Sequence, residues 1–332
     1  MTLLIMTGTK QTSFQSRLIA SYSLLASARP RQWTKNLIVF AAPLFAFQIN
    51  RQTLGSSLLA LGLFCCLSSG FYLFNDIRDV ESDRRHPTKC KRPIAAGLVS
   101  ITTARSCAFI LLAIPLIIGS VINLSLGSIL ISYGAVQISY NLWLKHTVLL
   151  DILAIATGFV LRAYGGAAAT NIILSPWFIL CTAMLALFLA IEKRKAELRL
   201  VANKGNQTRL VLKHYSLSLL SRMEGIVTSG TIITYALWSA GPQLQGASTS
   251  WMLLTLPFVL YGMFRYQLLS DFPQQESGET FFPLINRQQK SKMNSERPEE
   301  ILLTDLPILL TICGWIITIV LILLLKNQGL IE

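Results

Sequence analysis

Apolar residues in this chain fall in nine runs that approach the length needed to cross a bilayer as a helix, about 20 residues. They cover 34–50, 53–74, 101–121, 124–142, 149–169, 174–191, 225–241, 251–269 and 306–325, the first being the shortest. The pattern predicts an all-α, polytopic membrane protein with about nine transmembrane helices. Residues 1–28 read as a cytosolic or interfacial N-terminal segment, 29–326 as one membrane-embedded domain and 327–332 as a short tail.

The polar positions between the runs are unevenly charged. Lys and Arg gather before the first run and between the second and third, fourth and fifth, sixth and seventh, and eighth and ninth. The alternate connections hold Arg51 alone, and the tail adds Lys326. The positive-inside rule then places the N-terminus inside and the C-terminus outside. All acids but Glu332 lie on or near that same inner face, and positive-inside sorting says little about acids. The stretch 270–305, with Pro, Gln, Ser and Glu, reads as an ordinary polar loop with local disorder.

Composition agrees with a membrane protein. Of 332 residues, 52% are hydrophobic and 14% charged, too few polar side chains to cover a soluble domain of this size. The surplus of 29 Lys and Arg over 16 Asp and Glu is divided among five inner segments, so no continuous basic surface for nucleic acid is indicated. Cys65, Cys66, Cys90, Cys107, Cys181 and Cys313 have no CxxC spacing and suggest neither a disulfide framework nor a zinc site. Residues 18–28, LIASYSLLASA, look like a short signal peptide, but serines and a tyrosine break the apolar core and basic RPRQWTK follows.

The densest chemistry is NDIRDVESDRRHPTKCKRPIAAG, residues 75–97. If the second span continues as a helix past Phe74, then Asp76, Asp79 and Asp83 share one face about a turn apart. Carboxylates so spaced repel one another unless they hold a cation, and hard oxygens with room for phosphate suit Mg²⁺. The competing reading is a solvated helix end whose acids pair with Arg78, Arg84 and Arg85. Asn75 on one side and Lys89 and Arg92 on the other supply the mixed polarity that a Mg²⁺–phosphate site needs. Arg162 is a second signal: an arginine well inside an apolar run costs roughly 2.5–3.5 kcal/mol on insertion scales unless it faces a cavity or a partner. Tyr140, Lys145 and Asp151 bracket an inner loop. Lys145 is a candidate phosphate contact, and Asp151 is a candidate to ligate metal, orient a sugar hydroxyl or pair with Lys145.

The 75–97 stretch resembles the first aspartate-rich motif of the UbiA superfamily of intramembrane prenyltransferases. More narrowly, RPRQWTKNLIVFAAPLF (29–45), YNLWLKHTVLLDI (140–152), GFVLRAYGGA (158–167), EKRKAEL (192–198), RYQLL (265–269) and RPEEILLTD (297–305) are similar, in collinear order, to the phosphoribosyltransferase branch that acts on decaprenyl phosphate. The resemblance implies a UbiA-like bundle of nine helices around a cytosol-facing cavity in the cell membrane. It implies Mg²⁺ at Asp76, Asp79 and Asp83, and transfer of 5-phosphoribose from phosphoribosyl diphosphate to a polyprenyl phosphate. Members that prenylate aromatic rings carry a second aspartate cluster after the sixth span. Here Lys193 and Arg194 stand in its place, with Glu197 beyond, which suits substrates that both bring phosphate. Prenylation of an aromatic acceptor stays the alternative activity, and a homo-oligomer stays open. By the same resemblance Lys35, Asn75, Tyr140, Lys145 and Arg162 join the substrate-binding set, whereas Lys195 and Arg199 read as ordinary cations ending the sixth span.

Overall fold

The computed structural model describes residues 21–86, 88–204, 210–271 and 304–331, and every regular element among them is helical. A 3-10 stretch over Pro30–Phe40 runs into α1 (Ala41–Phe45), followed by α2 (Arg51–Arg78), α3 (Val80–Arg85), α4 (Ile101–Ile122) and α5 (Leu124–Leu142). Then come α6 (Leu150–Thr170), α7 (Pro176–Lys204), α8 (Leu217–Ser239), α9 (Leu256–Asp271) and α10 (Leu306–Asn327). The polar loop expected over 270–305 lies almost entirely outside the described residues.

Among the described residues six stretches, Arg51–Arg78, Ile101–Ile122, Leu150–Thr170, Pro176–Arg199, Ser250–Asp271 and Leu306–Asn327, are long and apolar enough to cross a membrane, as in a multi-pass membrane protein. The first expected span, 34–50, is instead the 3-10 stretch and the short α1, which end before Asn50. The expected spans at 124–142 and 225–241 are helical, but serines and tyrosines dilute α5, and α8 begins early at Leu217 and carries Arg222 and Glu224.

Local chemistry explains where the helices start. Asn50 caps α2, its Oδ1 accepting from the Thr53 amide at 2.9 Å while Thr53 Oγ1 accepts from the Asn50 amide at 3.0 Å. Ser100, Ser216 and Asp305 accept the first free amides of α4, α8 and α10 in the same way. Between α4 and α5 stands Asn123 alone, accepting from the amides of Ser125 and Leu126 and donating to the Ala168 carbonyl at 2.9 Å.

The chain divides into two compact units. One comprises the chain up to Pro43, Ile49–Asn141 and Leu161–Ile172; the other comprises Leu44–Gln48, Leu142–Val160 and the chain from Ile173. The first unit is packed around Phe64, Leu67, Leu126, Leu130 and Tyr133. A Cβ added at Gly166 would lie 1.9 Å from the Val39 carbonyl oxygen, so only glycine allows α6 so near the 3-10 backbone. Gly166→Ala is accordingly expected to destabilise by about 1–3 kcal/mol. Melting in detergent should register that loss, whereas Gly62→Ala, inside α2 with nothing within 4 Å of the new methyl, should melt no lower than wild type.

The second unit is packed around Phe188, Ile191, Leu220, Tyr266 and Ile308. Phe45 seats its ring 4.8–5.7 Å from those of Phe178, Trp238 and Trp315. Phe188, Phe258, Met263, Tyr266 and Trp315 line an apolar cleft of about 180 Å³. Large apolar side chains stay exposed along α4 (Phe109, Ile117, Val121) and α10 (Leu310, Ile317, Leu321), the surface a bilayer rather than water would cover.

Candidate functional site

Among the described residues, charge is buried in the first unit at the end of α2 and at Arg162, and in the second unit around α7 and at the Arg265–Asp305 pair. The first is built where α2 ends. Asp76 is on its last turn, and the helix breaks at Asp79 (φ −91°, ψ 6°) before restarting as α3, which carries Asp83. The three acids therefore do not share one uninterrupted helix face as the spacing predicts. Asp76 and Asp83 are nevertheless brought together: Arg92 Nη1 donates to Asp76 Oδ1 at 3.1 Å and to Asp83 Oδ2 at 2.6 Å. Both carboxylates are buried, at 3% and 2% exposure, while Asp79 is half-buried and joins neither guanidinium.

A residue that sequence reasoning left without a role completes this cluster. Arg29 Nη2 donates to Asp76 Oδ1 at 2.6 Å, and its guanidinium lies 4.8 Å over the Tyr72 ring. Its backbone is left-handed (φ 55°, ψ 62°). Ser69 fixes the segment on both sides, donating to the Ala28 carbonyl and accepting from Trp33 Nε1, each at 3.0 Å. Trp33 is thereby anchored to α2 as well as being suited to an interface. The available signal was RPRQWTK itself, a basic run just before an apolar one.

Among the described residues no three carboxylate, imidazole or thiol groups stand close enough to hold a metal as they are. The donor chemistry still fits a hard divalent cation: two carboxylates meet at one guanidinium, and the buried Asn75 Oδ1, next to Asp76 in sequence, has no hydrogen-bond partner among the described residues. Of the nearby cations, Lys89 is exposed and Lys35 half-buried; Tyr140 is half-buried near the end of α5.

Arg162 is in the first unit, 6% exposed, and meets protein partners rather than open space. Its Nε donates to Asn36 Oδ1 at 2.6 Å and its Nη2 to the Tyr133 hydroxyl at 2.7 Å, with the guanidinium 4.7 Å from the Tyr133 ring. Asn36 is completely buried in this network. Three elements are tied together by one in-span cation, which offsets its desolvation with hydrogen bonds and ring contact.

The second unit holds two acid–base networks around α7. This helix continues to Lys204, beyond the expected end at 191, so Lys193–Glu197 lie within it rather than at its terminus. Arg194 is fully buried, its Nε donating to Asp151 Oδ2 at 2.6 Å and its Nη1 to Glu197. Asp151 also accepts from the Tyr215 hydroxyl at 2.7 Å, so its partners are Arg194 and Tyr215 rather than Lys145, the pairing that was one of its three candidate roles. Burial and then the Asp151 carboxylate push the Tyr215 phenol well above its usual range, keeping it a proton donor. Lys145, in the 3-10 turn Leu144–His146, and Lys193 are half-buried.

Lys195 overturns its reading as a terminal cation. It is fully buried, with Nζ 2.9 Å from Glu192 and 2.7 Å from Asp271 and a further bond to Glu224. Arg199 is likewise engaged, donating to Asp271 and to the Ser270 carbonyl, and Ser270 donates to Glu192. The network links α7, α8 and α9. Glu224 stands just before the seventh apolar run, where the sequence reading left it outside the span.

Comparison with known proteins adds independent information. The sequence model of the UbiA prenyltransferase family matches residues 36–288. Over 309 residues the chain is 36% identical to the decaprenyl-phosphate phosphoribosyltransferase of Mycolicibacterium smegmatis, covering 89% of this chain and 91% of that protein. The protein of the same name from Mycobacterium tuberculosis is 33% identical over 302 residues, covering 89% and 92%. Among solved structures, a UbiA homolog from Archaeoglobus fulgidus bound to GPP and Mg²⁺ matches with a TM-score of 0.65 at 16% identity, covering 90% of this chain and 98% of that one.

Proposed function

Because the chain belongs to the UbiA prenyltransferase family, we propose that it transfers 5-phosphoribose from phosphoribosyl diphosphate to a polyprenyl phosphate of decaprenyl type and releases diphosphate. The observation that carries this reading is the near full-length similarity to two phosphoribosyltransferases of that name. Lys193 and Arg194, at the position where ring-prenylating relatives carry a second aspartate cluster, support it. The protein works in the cell membrane with nine membrane-spanning segments and its site open to the cytoplasm, a topology supported by the one-sided distribution of Lys and Arg.

In this reading Asp76, Asp83 and Asn75, with Asp79 at the helix break, hold a magnesium ion. When bound, the ion supplies positive charge against the departing diphosphate. The bond from the ribose anomeric carbon to the diphosphate oxygen breaks with oxocarbenium character, and an oxygen of the polyprenyl phosphate forms the new bond. That oxygen is already anionic near neutral pH, so positioning carries most of the catalysis. The phosphate ligands of the first unit are Lys35, Lys89 and Arg92, the last held on Asp76 and Asp83, and those of the second unit are Lys145 and Lys193; the four lysines are all at least partly exposed. Tyr140 contacts substrate from α5. Arg162 and Arg194 are already engaged by protein partners, and Glu197 keeps Arg194 in place; these three position rather than carry the reacting groups. The apolar cleft of the second unit suits part of the polyprenyl chain.

The direct test incubates the purified protein with Mg²⁺, polyprenyl phosphate and phosphoribosyl diphosphate labelled in the ribose. Label is expected in the lipid fraction, dependent on both Mg²⁺ and the acceptor. An unlabelled lipid fraction, together with prenylation of an aromatic acid from an allylic diphosphate, would replace this assignment with the ring-prenylating one.

A further inference from the structure

We propose that Arg29 is a resident counter-ion of Asp76 which an incoming divalent cation displaces, and that the displaced guanidinium then binds the diphosphate accompanying the cation. This rests on the metal and diphosphate assignment above and assigns a residue that assignment does not use.

Two guanidiniums reach a single oxygen of Asp76, Arg29 at 2.6 Å and Arg92 at 3.1 Å. They are not equivalent. Arg92 is retained by Asp83 at 2.6 Å whatever happens at Asp76, whereas Asp76 is the one acid that Arg29 meets among the described residues. Arg29 is thus the cation whose bond to Asp76 can be exchanged without stranding a second carboxylate.

The seat of Arg29 is built to hold it after such an exchange. Ser69, Tyr72 and Asp76 succeed one another along one face of α2. Ser69 fixes the Ala28 carbonyl and the Trp33 indole on either side of Arg29 in sequence. A non-glycine residue in the left-handed region is strained and persists where its surroundings over-determine it. The Tyr72 face supplies attraction that does not depend on Asp76. With Asp76 taken by a metal, Arg29 remains over that ring, 30% exposed, with its planar set of donors free for phosphate oxygens.

The exchange leaves Arg29 in need of an anion. A bare divalent cation on Asp76 strips Arg29 of the one carboxylate it meets among the described residues, whereas the same cation arriving with diphosphate supplies a replacement. The wild-type site should therefore bind metal weakly alone and more tightly with diphosphate, and by linkage the reverse also holds.

The test is Mn²⁺ binding, followed by the electron paramagnetic resonance signal of free Mn²⁺, with the protein in lipid nanodiscs and with or without inorganic diphosphate. Arg29→Met should tighten Mn²⁺ alone by roughly tenfold, equivalent to losing one charge-assisted contact. It should also abolish most of the enhancement by diphosphate. Arg29→Lys should keep part of that enhancement. Tyr72→Leu, which removes the ring but keeps the charge, should leave Mn²⁺ alone as in wild type and weaken the enhancement. That variant decides the matter if Arg29→Met does not fold. Wild-type behaviour in both Arg29→Met measurements, or undiminished enhancement in Tyr72→Leu, overturns the inference and leaves the metal site standing. If wild type binds no Mn²⁺ under either condition, the metal assignment itself fails and this inference with it.

Discussion

Asp76→Asn is expected to lower turnover by roughly a thousandfold, the scale on which removal of one electrostatic contact to a transition state acts. The substitution keeps the shape of the side chain and an oxygen for Arg29 and Arg92, so the cluster remains packed. It loses the charge that both guanidiniums share and that a metal ion requires of its ligand. Asp83→Asn should follow closely, because Arg92 bridges the two acids at 3.1 and 2.6 Å. Asp79→Asn should cost least of the three: its carboxylate is half-buried at the helix break and joins neither guanidinium. Transfer of labelled ribose at saturating substrates, with the melting temperature of each variant alongside, orders them. Near wild-type turnover in Asp76→Asn would retire the metal–diphosphate assignment.

Lys195→Met should be the most destabilising single change in the second unit. The ammonium is fully buried against Glu192, Glu224 and Asp271, and Arg199 is the other cation engaging this network. Removing one partner from a buried ionic group costs about 3–5 kcal/mol because the remaining charge is left uncompensated. The loss should be partly recovered by Lys195→Met with Glu224→Gln, which deletes a charge of each sign. Melting of the purified variants measures both effects. A single variant that melts like wild type would mean that the ammonium is not enclosed by these acids.

These networks also explain what sequence reading could and could not find. The apolar runs at 101–121, 124–142, 149–169 and 306–325 match α4, α5, α6 and α10 within about two residues at each end, a usual margin for helix boundaries. Their ends are marked by caps or polar loops. The boundaries failed at α7 and α8, where the reading stopped each helix at its charges. Lys195 and Glu224 pair inside the protein, so charge did not mark the end of either helix. The 3-10 geometry of Pro30–Phe40 was hidden for a different reason: apolar composition does not distinguish it from an α-helix, and its form is set by contacts such as Arg162 on Asn36.

For the site, residue types were more legible than pairings. The aspartates and the cations after them could be selected from spacing and sign. Partners far apart in sequence could not: Arg29 meets Asp76 across 47 residues, and Arg194 meets Asp151 across 43. Arg162 stood out because an arginine inside an apolar run needs partners, and composition does not tell whether these are a phosphate or, as here, an amide and a hydroxyl.

The lone Asn123 linking α4 to α5 has a consequence for how the chain is made. In the proposed nine-segment topology the one-residue joint makes α4 and α5 a single insertion unit, the weakly apolar arm carried into the lipid by the hydrophobicity of the other. Lengthening that joint with a few glycines and serines would uncouple the two, leaving a fraction of newly synthesised molecules with the second arm stranded outside the bilayer.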